Sequence, residues 1–195
     1  MFVAVGVRPE GKVRCVMRFP LTRMRLRIYS FGNYKPRAGT RGRAVRTDRA
    51  TGHARRHLGW DLLAPIGTPV YAICDGWVTW RGSVKGYGLL LQFKFDQQGQ
   101  RYYALYGHLS SAAHGLAWVK EGTVLGHTGI SGWEAEARHY PKEYHLHFEI
   151  RDSASLSRPE TGTLHGTVDP GKLLGYYMYP YALDPVPAHI KGSID

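Results

Sequence analysis

Cysteine is scarce in this chain: Cys15 and Cys74 are the only two among 195 residues. That excludes a disulfide framework; of the two readings left, a single bridge or two reduced, packed thiols, the second is expected. Long apolar runs are missing too. No stretch approaches the ~18 residues that a membrane-crossing helix needs, so no membrane span is expected. The first residues, MFVAVGVRPEGK, have no basic segment ahead of their apolar patch and no cleavage-site pattern, so no Sec-type export address is expected. Helical stripes of three turns are absent. So are zinc-finger spacings, an RNP aromatic motif and a basic helix leading into heptads, and nucleic acid is not the expected partner.

Acidic residues are nearly absent from one part of the chain. Residues 1–56 carry 15 Lys and Arg against Glu10 and Asp48, while the rest is close to balanced under a formal net charge of +11. A cluster of one sign suits any anionic partner, whether nucleic acid, a lipid surface or a cell-wall polymer, and suits a solvated arm equally well. A chain of this length and 43% hydrophobic content can bury one sizeable core. One structural domain is expected, made of a basic part (1–56) packed on or leading into a second part (57–195).

What the chain does have is short β-type runs. VRCVMRF (13–19) alternates like a half-buried strand, and MRLRIYS (24–30) continues the pattern. Residues 32–56, rich in Gly and Arg, read as a long loop. From Thr68 onward, TPVYAIC, GWVTWRG, GLLLQFKF, RYYALYG, GLAWVK and TVLGH recur between glycine-containing turns. Asp75-Gly76 and Gln97-Gln98-Gly99 read as hairpin turns. The single good helix start is VDPGKLL, with Asp169 as N-cap and Pro170 as first helical residue. The expected fold is mainly β: an antiparallel β-sheet groove or sandwich with short helical pieces and long loops.

Three segments carry chemistry. In EYHLHFEI (143–150), strand alternation puts His145 and His147 on one face and Leu146 on the other. Paired imidazoles on one face suit a metal or proton-transfer site; an exposed pair is the other reading. In RRHLGWDLLAPIGTPV (55–70), His57 and Asp61 are four apart with Gly59 midway. In a straight strand their Cα atoms would lie ~13 Å apart, so sharing one ion, at bonds of about 2.0–2.2 Å, needs a bend that Gly59 permits. A surface ion pair or a turn hydrogen bond explains the same spacing. In LYGHLS (105–110), His108 ends a strand, where a lone histidine is as readily structural as functional.

Taken in order, His57-x-Gly59-x-Asp61, Tyr106-Gly107-His108-Leu109-Ser110 and His145-Leu146-His147-Phe148-Glu149 resemble the lysostaphin/LytM-type zinc metallopeptidases, which cleave peptide bonds in bacterial peptidoglycan. DLLAPIGTPVYAICDGWVTWRG, VKEGTVLGHTGISG and TVDPGKLL extend the likeness, which covers about residues 15–175. The resemblance implies a β-sheet groove with Zn2+ bound by His57, Asp61 and His147, and with His108 and His145 as catalytic histidines. Three protein ligands leave a fourth position open, the arrangement of a catalytic zinc. There is no His-Glu-x-x-His sequence, so proton handling falls to the two histidines. Glu149, on the face of His147, is a candidate to orient an imidazole.

The resemblance also implies peptidoglycan as substrate, a monomer, and action in the periplasm or cell wall. A secretion-system effector toxin, with a cognate immunity or inhibitor protein, or a phage lysin is the expected setting. The alternatives are an inactive cell-wall-binding or amidase-activating relative, and a histidine phosphocarrier. The intact ligand set weighs against both. Where the family has only a few residues before its last motif, this chain has an insertion, 133–144, expected to wall the groove. A Tyr-rich tail (175–187) ends the pattern and is expected to pack on the sheet.

Overall fold

The structure, a computed structural model, is described for residues 17–25, 31, 56–113, 115–132, 144–157, 164–174 and 193–194. The expected loop at 32–56 lies outside these residues except for Arg56, as do the insertion except for Tyr144, and the whole Tyr-rich tail.

The β-type runs become strands: β1 (Arg23–Met24), β2 (Trp60–Leu63), β3 (Pro69–Tyr71), β4 (Gly76–Val84), β5 (Gly88–Gln97), β6 (Gln100–Ala112), β7 (Trp118–Val119), β8 (Val124–Thr128), β9 (His145–Arg151), β10 (Thr167–Val168) and β11 (Ser193–Ile194). Nine of them form one antiparallel sheet in the order β10-β9-β6-β5-β4-β7, with β2 added on β9, β8 on β6 and β3 on β8. β1 and β11 make a separate parallel pair. The mainly β, antiparallel architecture is therefore as expected. The one helix among the described residues, α1 (Pro170–Leu174), begins as its sequence indicates, with Asp169 Oδ1 accepting from the Gly171 amide at 3.0 Å. Gln98 and Gly99, at φ +52° and +80°, form a two-residue hairpin turn between β5 and β6.

One face of the sheet carries the core. Val78, Leu91, Phe93, Tyr106, Leu146, Phe148 and Ile150 point into it, and all are buried. The N-terminal segment completes it: Phe19 and Leu21 are 0% exposed, and the chain there is held by Arg18 N–H to the Ile73 carbonyl and Tyr71 N–H to the Pro20 carbonyl. Of the strand expected at 13–19, only residues 17–19 are described, and there the expectation is corrected. Among its described residues, Met17–Phe19 is irregular chain, docked by burial of Met17 and Phe19 rather than by sheet pairing. Of 24–30, only Met24 is in a strand within the described part.

Asp75-Gly76 is not a hairpin turn. β3 leaves to pair with β8, while β4 pairs with β5 and β7, so nothing joins β3 to β4 as a hairpin. Asp75 instead accepts the Glu121 amide at 2.8 Å. Gly76 is needed for close packing, since a Cβ there would come 2.4 Å from the Lys94 carbonyl oxygen. Cys74 is a buried thiol in the core.

Candidate metal centre

The alternation of β9 sorts its side chains. Leu146, Phe148 and Ile150 enter the core, so His145, His147, Glu149 and Arg151 share the opposite face, and all four are buried. β2 runs antiparallel beside β9 with Asp61 directly across from His147, which brings the two side chains together on that face. His57 precedes β2, and the chain bends at Gly59 to return its ring to Asp61. The bend falls at Gly59 as expected, and packing gives a further reason for glycine. A Cβ on Gly59 would stand 2.2 Å from the Phe148 carbonyl oxygen, so glycine lets this segment lie against β9.

Three donor atoms converge here. His57 Nε2 lies 3.0 Å from Asp61 Oδ1, His147 Nδ1 lies 2.9 Å from the same oxygen, and the two ring nitrogens are 3.4 Å apart. A tetrahedral zinc with bonds of about 2.0–2.1 Å spaces its ligand atoms about 3.3–3.4 Å apart, close to this triangle. The donor set, two imidazoles and a carboxylate, also suits that ion. His147 supplies a second argument. Its Nε2 is 3.3 Å from Glu149 Oε2, where only N–H donation makes sense, so a neutral ring turns its Nδ1 lone pair on Asp61. Two acceptors at that distance need a cation between them. Burial alone would lower the pKa of His147, but its bonds to Asp61 and Glu149 outweigh burial and raise it. A divalent cation would answer that need with three donors at once. The residues present fit a metal ion.

Behind His147 stands a buried network. Glu149 accepts from the Tyr87 hydroxyl at 2.9 Å and from Arg151 Nε at 2.6 Å. Arg151 also donates to the Tyr87 hydroxyl and to the carbonyls of Ser155 and Ser157. Burial pushes the Glu149 carboxyl up, but the His147 bond and the Arg151 charge prevail and hold it below the usual range. Glu149 was a candidate from the sequence. Tyr87 and Arg151 were missed: Arg151 was legible as the next residue on the same strand face, whereas Tyr87 lies 62 residues from Glu149 and leaves no local signal.

His108 and His145 border the donors. Their rings meet edge to face at 5.1 Å, His108 lies 6.0 Å from the His147 ring, and His145 Nε2 is 3.6 Å from Asp61 Oδ1. β6 carries one extra residue at this point: Leu89 pairs with Leu109, but Leu91 pairs with Tyr106. The bulge turns His108 to φ +60°, a region that non-glycine side chains rarely adopt. Its Nδ1 donates to the Ser131 carbonyl at 2.8 Å. Burial, with His145 and His147 beside it, lowers the His108 pKa to about 3, so the ring is neutral.

All five histidine and aspartate positions singled out in the sequence therefore fall in one buried cluster. Among the described residues, the other two histidines do not join it: His127 bonds the Ser111 hydroxyl at 2.9 Å, and His165 is exposed. His139 and Tyr140 lie outside the described residues. Tyr144 contributes its carbonyl to the Ala64 amide.

The sequence profile of Peptidase family M23 matches residues 55–159. The DD-carboxypeptidase/endopeptidase Mpg of Neisseria meningitidis serogroup B is 35% identical over 105 residues, which is 54% of this chain and 22% of that protein. A zinc-containing peptidase from Vibrio cholerae shares 26% identity at a TM-score of 0.50, over 70% of this chain and 36% of that one. LytU shares 22% identity at a TM-score of 0.53, over 86% and 90% of the two chains, a likeness of fold alone. The chain thus spans 22% of the length of the curated relatives it matches.

Proposed function

The chain belongs to peptidase family M23, and from that premise we propose a zinc-dependent endopeptidase that hydrolyses peptide crosslinks or stem peptides of bacterial peptidoglycan. The observation that carries this reading is the triangle of His57 Nε2, Asp61 Oδ1 and His147 Nδ1, with sides of 2.9–3.4 Å, bordered by two further imidazoles. An inactive relative would be expected to have lost part of such a set. Its place of action is the periplasm or cell wall, as an effector toxin or a phage lysin. A net charge of +11 suits contact with an anionic wall polymer.

His57, Asp61 and His147 would hold the zinc ion. Bound there, zinc supplies Lewis acidity toward the scissile carbonyl and activates water at neutral pH. The remaining steps belong to the protein. With Nδ1–H donated to the Ser131 carbonyl, His108 presents Nε2 as an acceptor, and we assign it the proton taken from the attacking water. His145, on the same strand face as His147, is assigned the proton given to the leaving amine. Glu149 fixes the tautomer of His147 by accepting its Nε2–H, and Tyr87 and Arg151 hold Glu149.

The test is mass spectrometry of purified peptidoglycan after digestion by the zinc-loaded protein, beside His147→Ala. New peptide ends in the first digest alone are the expected outcome, and their identity names the bond. Identical digests would overturn the reading.

A further inference from the structure

Where the β5–β6 ladder breaks to admit His108, a residue from another part of the chain mends it. The Ser131 hydroxyl accepts the Leu89 amide at 2.8 Å and donates to the Leu109 carbonyl at 2.8 Å, bridging the two residues that face each other just beyond the bulge. The Ser131 carbonyl accepts His108 Nδ1–H, while the His108 amide donates to the Tyr87 carbonyl at 2.7 Å. The Ser131 turn lies directly on Gly88, where a Cβ would come 2.2 Å from the Ser131 carbonyl. Gly88 itself has φ +65°. One serine thus supplies three hydrogen bonds around a histidine in a conformation its own type seldom adopts.

Backbone groups near a bulge must find partners or leave it. Without the hydroxyl, Leu89 N–H and Leu109 C=O would draw toward each other. Closing the ladder there pulls on the bulge that holds His108. The same shift would move the Ser131 carbonyl, which selects the Nδ1–H tautomer and leaves Nε2 as the acceptor. We propose that Ser131 is a positioning residue for His108, fixing both the left-handed backbone and the tautomer that proton transfer requires. This rests on the role given to His108 above.

The experiment uses the whole 195-residue chain, zinc-loaded. In the wild type, nitrogen-15 NMR of the His108 ring should show the proton on Nδ1; a proton on Nε2 would overturn the proposal with no variant needed. In Ser131→Ala, kcat for a defined peptidoglycan peptide should fall about 10- to 100-fold, the range expected when a catalytic group is misplaced by a fraction of an ångström to an ångström. KM and zinc stoichiometry should stay as in the wild type, and the His108 nitrogen signals should lose the pure Nδ1–H pattern. A folded Ser131→Ala with wild-type kcat and an unchanged tautomer would overturn it, as would loss of zinc in step with kcat. A wild-type protein that binds zinc but cleaves nothing would instead count against the endopeptidase reading, while the tautomer measurement would still judge Ser131.

Discussion

Replacing Arg151 by methionine should expose what the buried carboxylate behind the candidate metal site costs. Arg151 Nε and Glu149 Oε1 are 2.6 Å apart with side chains 3% and 0% exposed. Removing the guanidinium leaves Glu149 charged in the interior with only the Tyr87 hydroxyl and His147 as donors. Breaking one side of such a pair costs about 3–5 kcal/mol, because the desolvation of the remaining charge is no longer compensated. The two carbonyls that Arg151 also serves belong to exposed residues, Ser155 and Ser157, and can turn to water, so they add little. In urea unfolding of the metal-free protein, a slope of about 2 kcal/mol per molar converts that loss to a midpoint lower by about 1.5–2.5 M.

Two controls give the reasoning its edge. Glu149→Gln with Arg151→Met removes both charges and should recover to within about 1–2 kcal/mol of the wild type, since the penalty lies in the lone charge. Acid should also help the single variant. In the wild type Glu149 sits below its ordinary pKa, so its contribution is present above the unfolded value and is lost as pH falls through the folded one. In Arg151→Met the carboxyl can take up a proton instead, so the gap to wild type should narrow as pH drops below about 5. A single variant within 1 kcal/mol of wild type at pH 7, or a double variant no better than the single, would refute the account.

Three further outcomes are expected. Gly59→Ala, whose Cβ meets a carbonyl that cannot yield, should destabilise by about 1–3 kcal/mol and weaken zinc binding in a chelator competition by prying β2 from β9; an unaltered affinity would contradict the packing argument. His108→Asn keeps a side chain that tolerates φ +60° but removes a group lowered to about 3. The wild type should therefore lose stability as pH falls from about 6.5 toward 3, by up to about 1.4 kcal/mol per pH unit, and urea midpoints of the metal-free variant should fall less steeply. Phe19→Ala, in a segment preceding the family-matched residues, should cost about 3–5 kcal/mol by thermal or urea unfolding, because Phe19 is fully buried in the same core.

The candidate donors and Glu149 were legible in the sequence, Tyr87 and Ser131 were not, and the reason is physical. A metal site restricts residue type, so histidines two apart on a strand stand out against β propensity. β9 then aligns them by the same alternation that sends Leu146 and Phe148 inward. Local turn chemistry was readable wherever both partners are close in sequence, as at Gln98-Gly99 and at Asp169-Pro170. It misled at Asp75-Gly76, because an Asp-Gly pair makes a hairpin only if the flanking strands pair, and β3 pairs with β8 instead. At Gly59 the bend was legible but the close packing was not: the close carbonyl belongs to Phe148, on a strand far along the chain. Met17–Phe19 shows the same limit, since alternating burial does not reveal whether a neighbouring strand exists to pair with.

Ser131 and Tyr87 are the sharper cases. They act through hydroxyls and carbonyls on partners 22 to 62 residues away, using groups that nearly every chain has in quantity. No spacing marks them. Only the strand register, which sets Leu89 against Leu109 and leaves one residue over at His108, shows why a serine hydroxyl should be needed at that point.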